Sequence, residues 1–191
     1  MLRVLVIDES RIRAAEICAG LALAGHSVAA VLPSAIDLVK HVEATHPDVI
    51  LIETGSPTRD TLEHLSVLDR AHPRPIVMFT QDADSQAIRR AVQAGVSAYV
   101  VDGLDLSRIK PVIDVALAQF EFHQALRDEL AESNRKLFER KLVDRAKGLL
   151  MKARSLSEDD AYHTLRKLAM DRGKSIALVS QDVIDMANLL L

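Results

Sequence analysis

The chain has 191 residues, 49% of them hydrophobic, which is enough to bury the cores of one medium domain and one small one. It has no tryptophan and a single cysteine, Cys18, so a disulfide framework and a multi-cysteine zinc site are excluded. The net charge of −3 hides an asymmetry: residues 1 to 134 carry 12 basic against 19 acidic side chains, and residues 135 to 191 carry 12 against 8. The lone cysteine suits a reducing cytosol. Met1 leads directly into "LRVLVID" and the longest apolar runs are strand-sized, so neither a secretory leader nor a membrane span is expected.

Five short apolar runs predict strands: "RVLVID" (3 to 8), "SVAAV" (27 to 31), "DVILIE" (48 to 53), "PIVMFT" (75 to 80) and "AYVV" (98 to 101). Between them apolar residues recur at helical spacing, as with Ile12, Ala15, Cys18, Leu21 and Ala22. Ser10 is placed to cap the first helix and Gly25 to end it. Ser34 with Asp37 spells a capping box, and Gly95 closes the fourth helix. Nearly continuous apolar strands imply a sheet covered on both faces. The expected architecture is α/β: five alternating units forming a doubly wound, five-stranded parallel sheet over residues 1 to 104.

In such a fold the working site lies at the carboxyl ends of the strands. Those ends supply Asp8 and Glu9, Glu53, Thr80 and Asp102. Here the chain resembles the response-regulator receiver family. The resemblance implies that Asp8 and Glu9 form an acidic pair for Mg²⁺, that Thr80 is the switch hydroxyl and that Tyr99 is the switch aromatic. Two positions depart from the family: Glu53 stands where the phosphoacceptor aspartate belongs, and Asp102 replaces a lysine. A glutamate carries its carboxylate one methylene farther out, which disturbs the alignment that in-line phosphoryl transfer needs. Four carboxylates in one crevice would bind a cation, stay hydrated or hold protons. Control by a partner protein, decay to a scaffold, and surviving phosphorylation or metal switching all remain open from the sequence.

After Asp105 one long helical pattern takes over, with Pro111 in its first turns. A heptad seam can be traced through Ile113, Phe120, Arg127 and Asn134 at one position and Ala116, His123, Leu130 and Leu137 at the other. It predicts a coiled-coil linker helix over residues 105 to 138, with Asn134 fixing register, and a homodimer. A lone amphipathic helix packed on its own receiver is the alternative.

Residues 139 to 191 read as a small three-helix domain: the end of the long helix, a second helix from a Ser157 to Asp160 capping box to Gly173, and a third from Ser175. Apolar stripes face one another, Leu142, Ala146, Leu149 and Ala153 against Ala161, Leu165, Leu168 and Ala169 and against Ile176, Val179, Val183 and Ala187. The "AKGLLM" run, the acidic pair before "AY" and "LRKLAMDRG" resemble the ANTAR domain, the RNA-binding module of transcription antitermination regulators. "PRPIVMFT", "GVSAYVV" with its following acid and glycine, "ERK" before "AKGLLMK", and "SPTRDTLE" narrow the likeness to NasT-type regulators of nitrate and nitrite assimilation.

That resemblance implies binding to a two-hairpin motif in leader mRNA and restraint by a partner nitrate/nitrite sensor protein. Charge supports a polyanion: residues 135 to 154 hold eight basic side chains against Glu139 and Asp144. The expected RNA contacts are Arg140, Lys141, Arg145, Lys147, Arg166, Lys167, Arg172 and Lys174. DNA is disfavoured because residues 175 to 191 contain no Lys or Arg, which a recognition helix would need. No nucleophile and base with a positioned third group is apparent, so no enzyme is expected. A coiled-coil protein-interaction adaptor with a degenerate receiver, and a phosphorylation-dependent response regulator, are the rival readings.

Overall fold

A computed structural model describes residues 1–103 and 105–190. The chain divides into two compact units, Met1–Gln124 and Ala125–Leu191. The first contains β1 (Arg3–Asp8), α1 (Arg11–Leu23), β2 (Ser27–Leu32), α2 (Leu38–Thr45), β3 (Val49–Thr54), α3 (Arg59–Ala71), β4 (Ile76–Thr80), α4 (Ser85–Gln93) and β5 (Ala98–Val101). A 46-residue helix, α5 (Ile109–Arg154), begins in this unit, and α6 (Glu158–Arg172) and α7 (Ile176–Leu190) follow.

All strand pairs are parallel, in the order β2-β1-β3-β4-β5. Strand alternation sends β1 residues to two cores. Leu5 and Ile7 pack with Ile50, Ile52, Met78 and the inner faces of α2, α3 and α4. Val4 and Val6 pack on the opposite side with Leu51, Phe79 and the inner face of α1. A sheet buried on both faces explains why the strands read as unbroken apolar runs.

The second core contains Ile109, Ile113 and Ala116, all fully buried. The first turns of α5 are therefore the fifth helix of the receiver-like unit, and two residues traced as heptad positions pack on its sheet. A free seam can begin only beyond them. Pro111 falls in the first turn, where its missing N–H costs no intrahelical bond.

Helix boundaries follow cap chemistry. Ser10, Thr58 and Asp84 accept from the backbone N–H groups of Arg13, Thr61 and Ala87. Gly95 takes φ +97°, and a Cβ there would come within 2.8 Å of Asp69, so both backbone and space require glycine. The capping box expected at Ser34 is not formed. Ser34 Oγ accepts from the N–H of Ile36 within its own loop, and α2 starts after Asp37, which lies at φ +55° without a side-chain cap bond. A local turn has outcompeted the helix start.

The Ala125–Leu191 unit is a three-helix arrangement built from the end of α5, α6 and α7. Ala146, Leu165, Ala169, Val179 and Ile184 are its core, with Leu142, Leu149, Leu168, Ile176 and Val183 packed around them. Ser157 caps α6 by accepting from Asp160 N–H at 3.1 Å, and Gly173 ends it at φ +61°.

Candidate regulatory site and nucleic-acid interface

Register pairs Asp8 of β1 with Glu53 of β3, side by side at the point where strand order reverses. Both are nearly sealed, at 3% and 5% exposure. Arg13, in the first turn of α1, supplies the compensating charge. Its Nε donates to Asp8 Oδ2 and its Nη2 to Asp8 Oδ1, each at 2.8 Å, and Asp8 Oδ1 also accepts from the backbone N–H of Ser10. Arg13 Nε stands 4.0 Å from Glu53 Oε1, whereas Glu53 Oε2 is buried without a hydrogen-bond partner. The Asp8 hydrogen bond raises the Arg13 guanidinium above its ordinary value. Burial raises the Glu53 carboxyl, Arg13 opposes that rise, and Asp8 adds to it.

The four-carboxylate crevice expected from the strand ends is assembled only in part. Asp8, Glu9 and Glu53 line one cavity, Glu9 as an exposed residue, whereas Asp102, exposed at φ +74°, is not among its lining residues. That cavity measures about 40 Å³, enough to hold water beside the carboxylates.

The switch pair is engaged inward. Thr80 is fully buried, donates to Gly55 O at 2.9 Å and accepts from Asp82 N–H. Tyr99 packs against the α2, α3 and α4 core and donates its hydroxyl to Asp82 O at 2.9 Å. Ser56 donates to the Asp82 carboxylate, which ties the loops after β3 and β4 together.

In the second unit the structure divides the predicted basic contacts. Lys147, 15% exposed, bridges Asp144 at 2.8 Å and Glu158 at 2.7 Å and so fastens α5 to the start of α6. Arg172 and Lys174 pair with Asp182 of α7, and Arg140 lies 4.0 Å from Asp144. Lys141, Arg145, Arg166 and Lys167 are exposed and form no ion pair among the described residues. On α5 the positions of Lys141, Arg145, Gly148 and Lys152 advance by four, three and four residues, which places them on one helix face. No group of three or more potential metal-ligating side chains occurs among the described residues, and no helix among them is long and apolar enough to cross a membrane.

The response regulator receiver domain family matches residues 4–114, and the ANTAR domain family matches residues 131–184. This chain belongs to the ANTAR-type response regulators. Over 183 residues it is 29% identical to the transcriptional regulatory protein PdtaR of Mycobacterium tuberculosis, covering 96% of this chain and 89% of that protein. A nitrate regulatory protein of Klebsiella oxytoca is 30% identical over 83 residues, 44% of this chain and 21% of that protein. The receiver fold is shared with a CheY-like receiver domain protein of Methanospirillum hungatei, at TM-score 0.55 and 18% identity, over 64% of this chain and 98% of that one. Response regulators of this receiver and ANTAR type are regulators and not enzymes.

The receiver family implies a divalent cation at the acidic pair, and the residues of this receiver do not fit one as they stand. Both Asp8 oxygens are occupied by a guanidinium, which leaves exposed Glu9 and a buried, unpartnered oxygen of Glu53 beside the cavity. Arg13 was not foreseen from the sequence; its five-residue spacing from Asp8 becomes a contact only through the turn between β1 and α1.

The raised Glu53 carboxyl sets a pH dependence. The folded receiver holds a proton on Glu53 at pH values where the unfolded chain, near the ordinary glutamate value of about 4.3, has released it. Stability therefore falls as pH rises from that ordinary value through the raised one. Glu53→Gln removes the buried charge with little change of shape. The variant is expected to melt higher than wild type at pH 7, with the gap closing as pH drops toward 4. Thermal unfolding across pH checks this, and a gap independent of pH would contradict it.

Proposed function

We infer that this ANTAR response regulator binds paired hairpins in a leader RNA and favours an antiterminated transcript. The observation that carries the reading is the exposed face of Lys141, Arg145 and Lys152 inside the ANTAR match, charged and unpaired among the described residues. Cations on such a face release counterions from a phosphate backbone, while side chains at its edge read unstacked loop bases. Tyr162, 42% exposed beside fully buried Ala161, offers one stacking surface.

Gly148 supports close approach. It sits in a helix interior, where glycine costs about 0.5–1 kcal/mol relative to alanine, and a Cβ there would meet nothing within 4 Å. Nothing inside the fold requires its small size. Between Arg145 and Lys152 it leaves the helix backbone open to a phosphate or base. Gly148→Ala is expected to raise stability by about 0.5–1 kcal/mol and yet weaken binding to a two-hairpin RNA. Denaturant unfolding and fluorescence anisotropy measure the two effects. Undiminished affinity for the hairpins, or equal affinity of wild type for a scrambled hairpin, would count against the RNA reading.

Two copies pair through α5, where Leu126, Leu130 and Leu137 are 47%, 62% and 55% exposed at four- and seven-residue steps and Asn134 lies nearby. A dimer presents two ANTAR domains to two hairpins, which raises affinity through effective concentration. The receiver is a docking platform for a partner sensor of nitrate or nitrite, and the genes controlled serve nitrate and nitrite assimilation in the cytoplasm. The likeness to the Klebsiella nitrate regulatory protein supports that narrower assignment. Partner control accords with Glu53 at the phosphoacceptor position and with a switch pair already turned inward.

A further inference from the structure

We propose that Arg13 is a built-in counter-cation that occupies the receiver's acidic site and excludes divalent metal ions from it. The inference concerns the receiver alone and does not depend on RNA binding. Asp8 is 3% exposed and its two oxygens receive both prongs of the guanidinium fork at 2.8 Å, the parallel geometry in which arginine binds a carboxylate most specifically. The Arg13 side chain is 41% exposed, so its stem spans from solvent into the sealed site and delivers charge without burying a lysine-like point cation.

Its position also serves Glu53, 4.0 Å away, so one guanidinium offsets two buried carboxylates. A magnesium-sized ion requires carboxylate oxygens at about 2.0–2.1 Å in a nearly octahedral shell with several waters. Here three of the roughly four lone-pair sites of the Asp8 carboxylate are taken by Arg13 and Ser10, so an ion could gain both oxygens only by displacing the guanidinium. Glu53 Oε2 is buried and unpartnered, and Glu9 lines the same cavity. Removing the guanidinium would leave two buried carboxylates side by side with no cation, an arrangement that recruits one.

The test is a titration of the full-length protein with Mn²⁺, followed by electron paramagnetic resonance of the free ion. Wild type is expected to show only weak surface binding, whereas Arg13→Gln gains one site at least about tenfold tighter. Adding Asp8→Asn to that variant removes the gained site, and Arg13→Lys, which keeps the charge, gains none. A tight single site in wild type, or an Arg13→Gln variant that retains its fold and gains no site, would overturn the proposal. Should Arg13→Gln fail to fold, thermal unfolding of wild type decides: an ion that binds only the native state raises the melting temperature. Its invariance with added Mn²⁺, beside unchanged metal silence of Arg13→Lys, is the expected result; a rise overturns the inference.

Discussion

Lys141→Ala combined with Arg145→Ala is expected to weaken binding to a two-hairpin RNA and to flatten its salt dependence while leaving the unfolding midpoint unchanged. Each lost phosphate contact removes roughly 0.7–0.9 from the slope of log affinity against log salt, so the pair should remove about 1.4–1.8. Both side chains are exposed and contribute to no ion pair among the described residues, which is why folding should be indifferent to them. Lys147→Ala provides the contrast. Its ammonium joins Asp144 to Glu158 across two helices, so its loss should lower the melting temperature of the ANTAR unit. Binding titrations at several salt concentrations, with parallel thermal melts, separate the two roles. A melting loss in the double variant and unchanged salt slope would reverse the assignment.

Ile113→Ala is expected to destabilise the receiver by about 2–5 kcal/mol, the usual cost of truncating a fully buried branched aliphatic side chain. Ile113 is at 0% exposure in the core shared by β1, β3, β4 and α1, so the loss should appear in the receiver's own unfolding transition. Leu130→Ala removes a side chain that is more than half exposed, and folding of the single chain should change by less than about 0.5 kcal/mol. Its effect should fall on self-association. Denaturant unfolding together with sedimentation equilibrium distinguishes these outcomes. If Ile113→Ala abolished pairing at unchanged stability, the first turns of α5 would have to be assigned to an intermolecular seam.

Helix α5 and its neighbours show where sequence reading succeeds and where it stops. Runs such as "VLVID" and "VILIET" identify buried parallel strands because their side chains are apolar without a break up to the polar strand end, and caps at Ser10 and Ser157 mark helix starts through a local bond. A three-and-four apolar pattern on α5 says that a face is buried without naming what buries it. Ile113 and Ala116 turn out to face their own sheet, whereas Leu130 and Leu137 remain open. Ser34 and Asp37 satisfy a capping pattern and yet form a turn, because the serine oxygen reaches a nearer N–H. Two contacts shape the candidate sites most and leave no periodic trace. Arg13 reaches Asp8 across the β1–α1 turn, and Lys147 reaches Glu158 across eleven positions of sequence. Both belong to tertiary geometry, so a count of basic residues exceeds the number left without an ion pair, and a list of strand-end acids omits the guanidinium that meets them.

Taken together, the geometry describes a receiver whose acidic site already holds a cation and whose switch side chains are already turned inward, joined to an ANTAR domain with one open basic helix face. The most direct measurement is the molar mass in solution of the full-length protein with an RNA carrying both hairpins, repeated with one hairpin deleted and at raised salt. The account predicts two protein chains on the two-hairpin RNA, a marked loss of affinity when one hairpin is removed, and release as salt rises. A mass unchanged by the RNA, or equal binding to a scrambled sequence at every salt concentration, would contradict it.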